Sequence, residues 1–242
     1  LTAPNFLIDW SQVQKMITRK TRMIIINSPH NPSGTLLTTH DMLSLEKIVK
    51  ASNIIVLSDE VYEHIIYDGK KHQSVALYPT LAEHSFAVYS FGKTFHNTGW
   101  KIGYCIAPEN LMAEFRKVHQ FNVFSANTPT QYALAEYLKN ENNFLSLPNF
   151  YQEKRDVFCD LLEESRFNII PAGGTYFQLL DYSEITDMKD TEFAIQLTED
   201  NKIASIPVSV FYNSPPDSKV LRFCFAKDNE TLEKAAEILC KI

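Results

Sequence analysis

The sequence predicts an α/β protein, with a mostly parallel sheet in a larger domain and a smaller α+β domain after it. Two apolar runs, 23–27 and 54–57, have the length of strands that are buried on both faces, and an amphipathic helix lies between them. A strand, a helix and a strand at this spacing are typical of parallel pairing beneath a helical layer. Short strands and helices alternate after Arg166, and this change predicts the second domain.

The other elements of the larger domain follow in order along the chain. A short helix is expected at 9–17. Thr38 or Thr39 can cap the helix expected from Asp41 to about Ala51. Two more strands and two more helices are expected after the second strand, at 86–90, 102–107, 108–123 and 129–139.

An amphipathic helix that starts at Pro148 and reaches about Ser165 is expected to join the two domains. The predicted division is a large domain at 1–147, a connecting helix at 148–166 and a small domain at 167–242. The small domain is expected to contain two strands around a Gly173-Gly174 break and three further elements, at 191–201, 220–225 and 230–241.

Composition excludes several classes of partner. The 242 residues include 23 basic and 29 acidic side chains, and a net charge of −6 argues against nucleic acid or an anionic membrane. No apolar stretch approaches the roughly 18–20 residues that span a bilayer. The four cysteines have no metal-ligand spacing, so we expect no metal site and buried, reduced thiols in a cytoplasmic protein: Cys105, Cys159, Cys224 and Cys240.

Polar residues follow three predicted strands at the point where each strand ends, in the segments 27–34, 58–62 and 90–93. In open parallel sheets, ligands bind beyond the carboxyl ends of the strands. The sequence therefore predicts one crevice that is lined by Asn31, Asp59, Tyr62, Ser90 and Lys93.

Each of these residues has an ordinary structural interpretation when taken alone. An Asp after a strand usually forms a turn, an Asn-Pro-Ser-Gly run is itself a turn, and a loop lysine is usually solvated. Together they supply an amine, a carboxylate, a phenol, an amide and a hydroxyl. This set suits pyridoxal 5′-phosphate (PLP), which needs an amine for its aldehyde, an anion for its ring nitrogen, and cations and hydroxyls for its phosphate.

Four motifs resemble, in order and spacing, the class I and II aminotransferases of PLP fold type I: Asn31-Pro32-Ser33-Gly34, Asp59-Glu60-Val61-Tyr62, Ser90-Phe91-Gly92-Lys93 and Thr98-Gly99-Trp100-Lys101. The segments 59–64 and 222–225 resemble the branch that holds kynurenine, glutamine and methionine aminotransferases. The resemblance covers essentially the whole chain, and it implies the type I fold with PLP as cofactor.

The resemblance also implies a role for each candidate residue at the cofactor. Lys93 would bond covalently to the cofactor aldehyde and move the substrate proton. Asp59 would pair with the ring nitrogen, and Tyr62 and Asn31 would hydrogen-bond the phenolic oxygen.

The resemblance also implies which residues bind the cofactor phosphate and the substrate carboxylate. Ser90 and Lys101 would hold the phosphate, although many relatives carry Arg in place of Lys101. Arg222 would bind the substrate carboxylate through two parallel hydrogen bonds; the alternative is an arginine in a surface salt bridge. The segment 173–176 either lies near the substrate or is a plain turn.

Three residues near these motifs are expected to have structural roles. Trp100 and Phe124 are expected to be packing residues, and His30 is expected to form a local hydrogen bond.

The resemblance begins in the middle of a domain, at Leu1. Relatives carry an N-terminal portion with further strands of the large domain and a loop for the phosphate. We therefore expect the chain to hold only the C-terminal portion of the large domain, as a fragment of a longer protein with exposed apolar faces.

Three functional hypotheses remain open at this point. The first is ping-pong transamination between an aromatic, methionine-type or glutamine-type amino acid and a 2-oxo acid. The second is β-elimination by a cysteine-conjugate β-lyase, and the third is an inactive aminotransferase fragment. The resemblance implies a homodimer.

Overall fold

The structure, a computed structural model, describes residue 1 and residues 5–242, which form two compact units. Unit 1 comprises 1–7, 30–35 and 149–242, and unit 2 comprises 8–29 and 36–148. The bounds of these units differ from those of the predicted domains in two places. Residues 1–7 and 30–35 group with the C-terminal segment, and most of the predicted connecting helix belongs to unit 1. The division into a large domain at 1–147, a connecting helix at 148–166 and a small domain at 167–242 stays a prediction.

Unit 2 is built on a four-stranded sheet of order β1-β2-β3-β4, with strands Met23–Asn27, Ile55–Asp59, Ser85–Ser90 and Gly103–Ile106. The first three strands are parallel and β4 is antiparallel to β3, so the prediction of a mostly parallel sheet is confirmed. The register pairs Asn27 with Asp59, and Asp59 with Val88. Strands β1 and β2 therefore end at one level, and β3 continues for two residues to Ser90.

The helices of unit 2 are α1 Trp10–Met16, α2 Thr39–Ser52, α3 Pro79–His84, α4 Phe91–Thr94, α5 Glu109–Asn122, α6 Thr128–Tyr137 and α7 Asn142–Leu145. Two 3-10 helices lie at Val75–Leu77 and Thr98–Trp100. Thr38 caps α2: its hydroxyl accepts from the Asp41 backbone, and the Asp41 carboxylate accepts from the Thr38 backbone. The Trp10 indole donates to the same carboxylate at 2.8 Å, which attaches α1 to the start of α2.

The core of unit 2 lies between α2, α3 and one face of the sheet, and it contains Ile26, Met42, Leu45, Val49, Val56, Leu81 and Ala87. The prediction that the first strand is buried on both faces is wrong, because Ile25 is 68% exposed. Side chains alternate along a strand, so Ile26 enters the core while Ile25 points to the opposite face. Trp100 and Phe124 are also exposed, and their predicted packing role is wrong.

Unit 1 contains an antiparallel sheet of order β5-β6-β8-β7, with strands Asn168–Ile170, Phe177–Asp181, Val220–Cys224 and Ile206–Pro207. Its helices are most of α8 Leu147–Leu161, α9 Asp190–Asn201 and α10 Asn229–Leu239, with a 3-10 helix at Val208–Phe211. One apolar cluster of this unit joins Phe6, Leu179, Val208 and Val220. The predicted α+β character of this part of the chain is confirmed.

The four cysteines are less buried than the sequence predicts. Cys105 and Cys159 are partly buried, while Cys224 and Cys240 are exposed. Cys224 lies between the buried residues Phe223 and Phe225, and the alternation of side chains directs it away from the core. An apolar run does not reveal which of its two faces is covered.

Gly34 makes a close backbone contact within unit 1. Its φ is +71°, and its carbonyl accepts hydrogen bonds from the Gly173 and Gly174 backbones at 2.9 and 3.0 Å. A Cβ at Gly34 would lie 2.8 Å from the Cβ of Ala172. The predicted break at Gly173-Gly174 is therefore a turn that is tied to the segment 30–35.

We expect Gly34→Ala to lower the free energy of unfolding by about 2–4 kcal/mol, because strain at positive φ adds to the clash. Gly69 provides a matched control, since its φ is +65° and nothing lies within 4 Å of its Cβ position. Gly69→Ala should lower the free energy of unfolding by only about 1 kcal/mol. Urea unfolding followed by circular dichroism measures both losses, and equal losses would contradict the role given to the contact with Ala172.

Candidate active site

Asp59 is the last residue of β2, where the strand end is fixed from the β1 side. Its carbonyl accepts from the Ser28 backbone and the Asn27 side-chain amide, both at 3.0 Å. Its carboxylate accepts from the Val61 backbone at 3.3 Å. The side chain is half-buried, so the structure holds a carboxylate in place at the carboxyl end of the parallel strands.

Lys93 lies in the single-turn helix α4, directly after β3, and is also partly buried. Burial raises the pKa of the Asp59 carboxyl, while the Val61 hydrogen bond and the positive charge of Lys93 act to lower it. The ammonium group is therefore close enough to act on the carboxylate electrostatically. Unit 2 places both of these predicted residues at the same edge of its sheet.

Gly92 allows the loop after α4 to pack closely on the end of β3. Its carbonyl accepts from the Thr98 hydroxyl at 3.1 Å and from the Asn97 backbone at 3.2 Å. A Cβ at Gly92 would lie 2.9 Å from the Cα of Thr98 and 3.3 Å from the hydroxyl oxygen of Ser90. The loop can therefore continue to Lys101, which is exposed at the end of the 3-10 helix with a φ of +53°.

Tyr62 lies in the turn that follows β2 and is only 2% exposed. Its carbonyl accepts from the Ile65 backbone at 2.8 Å. The phenol is therefore held in a packed turn three residues after Asp59.

Asn31 and Arg222 are neighbours in unit 1, although they are far apart in the sequence. The Arg222 guanidinium donates to the Asn31 side-chain oxygen at 2.6 Å and lies 4.0 Å from the centre of the Phe177 ring. The ring of Phe211 lies 5.8 Å from the same group. Arg222 is half-buried, and an amide oxygen and two aromatic rings lie around its guanidinium.

The candidate residues therefore fall into two sets. Unit 2 carries Asp59, Tyr62, Ser90, Lys93 and Lys101, and unit 1 carries Asn31 and Arg222. The convergence of all seven on one crevice stays a prediction.

His30 behaves as the sequence indicates. Its Nδ1 lies 2.6 Å from the hydroxyl of Ser33, and burial lowers the pKa of the imidazole to about 4. The residue therefore has a local structural role within the turn 30–35.

The sequence did not predict the buried polar cluster around Glu60, which lies beside Asp59. The Glu60 carboxylate is 1% exposed and accepts from Ser58, the Val75 backbone and the Tyr89 phenol at 2.8, 3.0 and 2.9 Å. The Nε2 of His72 lies 2.8 Å from the same Glu60 oxygen that accepts from Tyr89. The sequence feature that could have indicated this cluster is an acidic residue directly after a buried strand. The motif 59–62 was instead interpreted through Asp59 and Tyr62.

The sequence profile of the aminotransferases of class I and II matches residues 1–239. The chain belongs to this family. It is 48% identical over 240 residues to the methionine aminotransferase of Escherichia coli K12, an alignment that covers 99% of this chain and 62% of the relative. It is 34% identical over 258 residues to human kynurenine–oxoglutarate transaminase 3, with coverages of 98% and 57%.

Solved structures agree with the assignment to the aminotransferase family. An Escherichia coli protein identified as a methionine aminotransferase matches with a TM-score of 0.97 and 46% identity, over 100% of this chain and 64% of that protein. The N-succinyldiaminopimelate aminotransferase of Mycobacterium tuberculosis matches with a TM-score of 0.92 and 33% identity, over 97% and 62%. The chain spans about three fifths of the length of the relatives it matches.

Membership of the family implies PLP as the cofactor, and the residues of unit 2 fit that molecule. The half-buried Asp59 carboxylate suits a protonated ring nitrogen, and the amine of Lys93 suits the aldehyde. The Ser90 hydroxyl and the Lys101 cation suit a phosphate group. None of the helices described at residues 5–242 has both the length and the apolar character to cross a membrane.

Proposed function

We propose that this aminotransferase transfers an amino group between an α-amino acid and a 2-oxo acid by a ping-pong route. The observation that carries the proposal is the placement of Asp59 and Lys93 at the carboxyl ends of two neighbouring parallel strands. Family membership adds independent support. The described relatives are aminotransferases, and nothing in the comparison favours a β-lyase.

Bound PLP supplies an electron sink for negative charge that develops at the substrate Cα. The amine of Lys93 would hold the cofactor aldehyde, and it would remove and return the proton at the substrate Cα. Asp59 keeps the ring nitrogen protonated, because a nearby carboxylate favours the charged form of that nitrogen.

The other candidate residues bind and orient the reactants. Ser90 and Lys101 hold the phosphate, and Tyr62 and Asn31 donate hydrogen bonds to the phenolic oxygen. Arg222 binds the substrate carboxylate, and its contacts with Asn31 and Phe177 orient the guanidinium before substrate arrives. Orientation in advance lowers the entropy that binding must overcome.

We propose aromatic, methionine-type or glutamine-type amino acids as donors. The support comes from relatives that act on methionine and kynurenine. A panel of donors and 2-oxo acids, assayed on the full-length natural protein with PLP, tests this choice. Oxo-acid-dependent turnover of these donors is the expected result, whereas release of pyruvate and ammonia from a cysteine conjugate without an oxo acid would overturn the proposal.

We expect Arg222→Lys to raise the KM for amino acid and oxo acid by about tenfold, or about 1.4 kcal/mol, because lysine lacks the planar pair of donors. The kcat should change less, since the binding is lost equally in the ground state and the transition state. Arg166→Lys serves as the control in the same unit, because Arg166 is exposed and donates to the Ile242 carbonyl. Steady-state kinetics with both substrates measure the effect, and an unchanged KM in Arg222→Lys would remove this residue from the site.

We also propose that the protein is a homodimer in the cytoplasm. Exposed apolar residues near the end of α5 support subunit association, since burial of such a surface favours assembly: Val118, Phe121 and Phe124. The four free thiols support a reducing compartment. Light scattering on the full-length protein tests the dimer, and a monomer at micromolar concentration would contradict it.

A further inference from the structure

Glu60 is a buried acidic residue beside the proposed cofactor site, and its carboxylate has four hydrogen-bond partners. Burial by itself would raise the pKa of its carboxyl, but the hydrogen bond and charge of His72, together with the Val75 and Ser58 donors, lower it. The side chain is therefore a buried carboxylate that is surrounded by donors. The mechanism proposed above gives it no role.

The bonds of Glu60 hold the two neighbours of Asp59 on one face of the sheet. Ser58 and Glu60 are hydrogen-bonded to each other at 2.8 Å, and the Glu60 backbone donates to the Val88 carbonyl at 2.9 Å. Successive side chains on a strand point to opposite faces. With both neighbours fixed, the Asp59 side chain between them is directed to the other face.

The same carboxylate also holds the end of β3. Tyr89 donates to Glu60 at 2.9 Å and directly precedes Ser90, the proposed phosphate ligand. The ring of Tyr89 stacks on Tyr104 with centres 4.6 Å apart, and Tyr104 donates to a different acid, Glu63, at 3.1 Å. Glu60 thus bonds to the strand ends that carry Asp59 and Ser90, whereas Glu63 does not.

His72 completes the cluster from the segment that precedes the 3-10 helix at Val75–Leu77. Among the residues that the structure describes, its Nδ1 is buried and has no hydrogen-bond partner, so the contact of Nε2 with Glu60 is what fixes the imidazole. The Val75 backbone donates to the same carboxylate. Three separate segments of unit 2 therefore meet at Glu60.

We propose that Glu60, held by His72 and Tyr89, is a positioning residue that sets the placement of Asp59 against the cofactor ring nitrogen and of Ser90 against its phosphate. The inference rests on the proposed roles of Asp59 and Ser90. Glu60 touches neither cofactor nor substrate and acts through the two strand ends.

The test compares Glu60→Gln and Tyr89→Phe with the parent in the full-length protein. Two properties are measured besides thermal unfolding: the dissociation constant for PLP, and the pH midpoint of the absorbance change of bound PLP. We expect Tyr89→Phe to raise the dissociation constant about tenfold, and Glu60→Gln to raise it further. In both variants the pH midpoint of the absorbance change should shift in the same direction as in Asp59→Asn, which is measured in the same experiment.

Tyr104→Phe is the matched control, because it removes a phenol–carboxylate hydrogen bond from the stacked partner ring without touching Glu60. It should bind PLP like the parent. If Glu60→Gln fails to fold, Tyr89→Phe decides the question. The inference would be overturned if Glu60→Gln and Tyr89→Phe lowered the unfolding temperature but kept the PLP affinity and the pH midpoint of the parent. Equal effects of Tyr89→Phe and Tyr104→Phe on PLP affinity would also overturn it. No effect of Asp59→Asn would instead overturn the proposed function.

Discussion

Lys93→Ala is expected to abolish transamination while the protein still folds and binds PLP without a covalent bond. General acid–base catalysis by a positioned side chain contributes about 10²- to 10⁴-fold, and the covalent link to the aldehyde is lost as well. We therefore expect kcat to fall by about 10³-fold or more. Single-turnover assays followed by cofactor absorbance measure the loss at the step of proton transfer.

Lys93→Arg separates the charge of this residue from its chemistry. Arginine keeps a cation near Asp59 but cannot serve as a base or condense with an aldehyde at neutral pH. It should therefore be as inactive as Lys93→Ala. Lys139→Ala is the control for loss of a lysine, because Lys139 is exposed and pairs with Glu136 on the surface of the same unit. A kcat within about tenfold of the parent value in either Lys93 variant would disprove the assignment.

The parallel pairing of the first strands and the polar residues at their ends could be predicted from the sequence, because parallel pairing places the carboxyl ends of successive strands at one edge. Asp59 and Lys93 come together for this reason. The start of α2 was also predictable, since Thr38 and Asp41 have the spacing of a capping box. These features depend on a few residues that are close in sequence.

Features that depend on tertiary contacts could not be predicted. The exposure of Ile25 depends on which face of the sheet is covered, and a continuous apolar run carries no such information. The bond between Asn31 and Arg222 joins residues that are 191 positions apart, and only the fold brings them into one unit. The role of Glu60 could not be predicted, because its four hydrogen-bond partners come from three separate segments: β2, the segment 72–75 and β3.

Asp59→Asn is expected to impair cofactor binding and catalysis while it stabilises the cofactor-free protein. Loss of one partner of a buried charge pair costs about 3 kcal/mol, so we expect PLP affinity or kcat to fall by about 100-fold. Asparagine has nearly the same shape, and its oxygen can still accept from the Val61 backbone as Asp59 does. Asp59→Glu keeps the charge and should recover part of the activity, whereas full activity in Asp59→Asn would remove Asp59 from the mechanism.

The stability effect of this substitution follows from the direction of the pKa shift. Burial raises the pKa of Asp59 above its ordinary value, so the folded protein binds the proton more tightly than the unfolded chain does. The free energy of unfolding therefore falls as the pH rises from the unfolded pKa through the folded pKa, and the charged carboxylate destabilises the cofactor-free protein at neutral pH. Asp59→Asn removes this penalty, so its cofactor-free form should unfold at a higher temperature than the parent at pH 7, with the difference disappearing at a pH below both values. A half-buried active-site carboxylate therefore lowers the stability of the cofactor-free protein, and a protonated ring nitrogen held at Asp59 would supply the compensating positive charge.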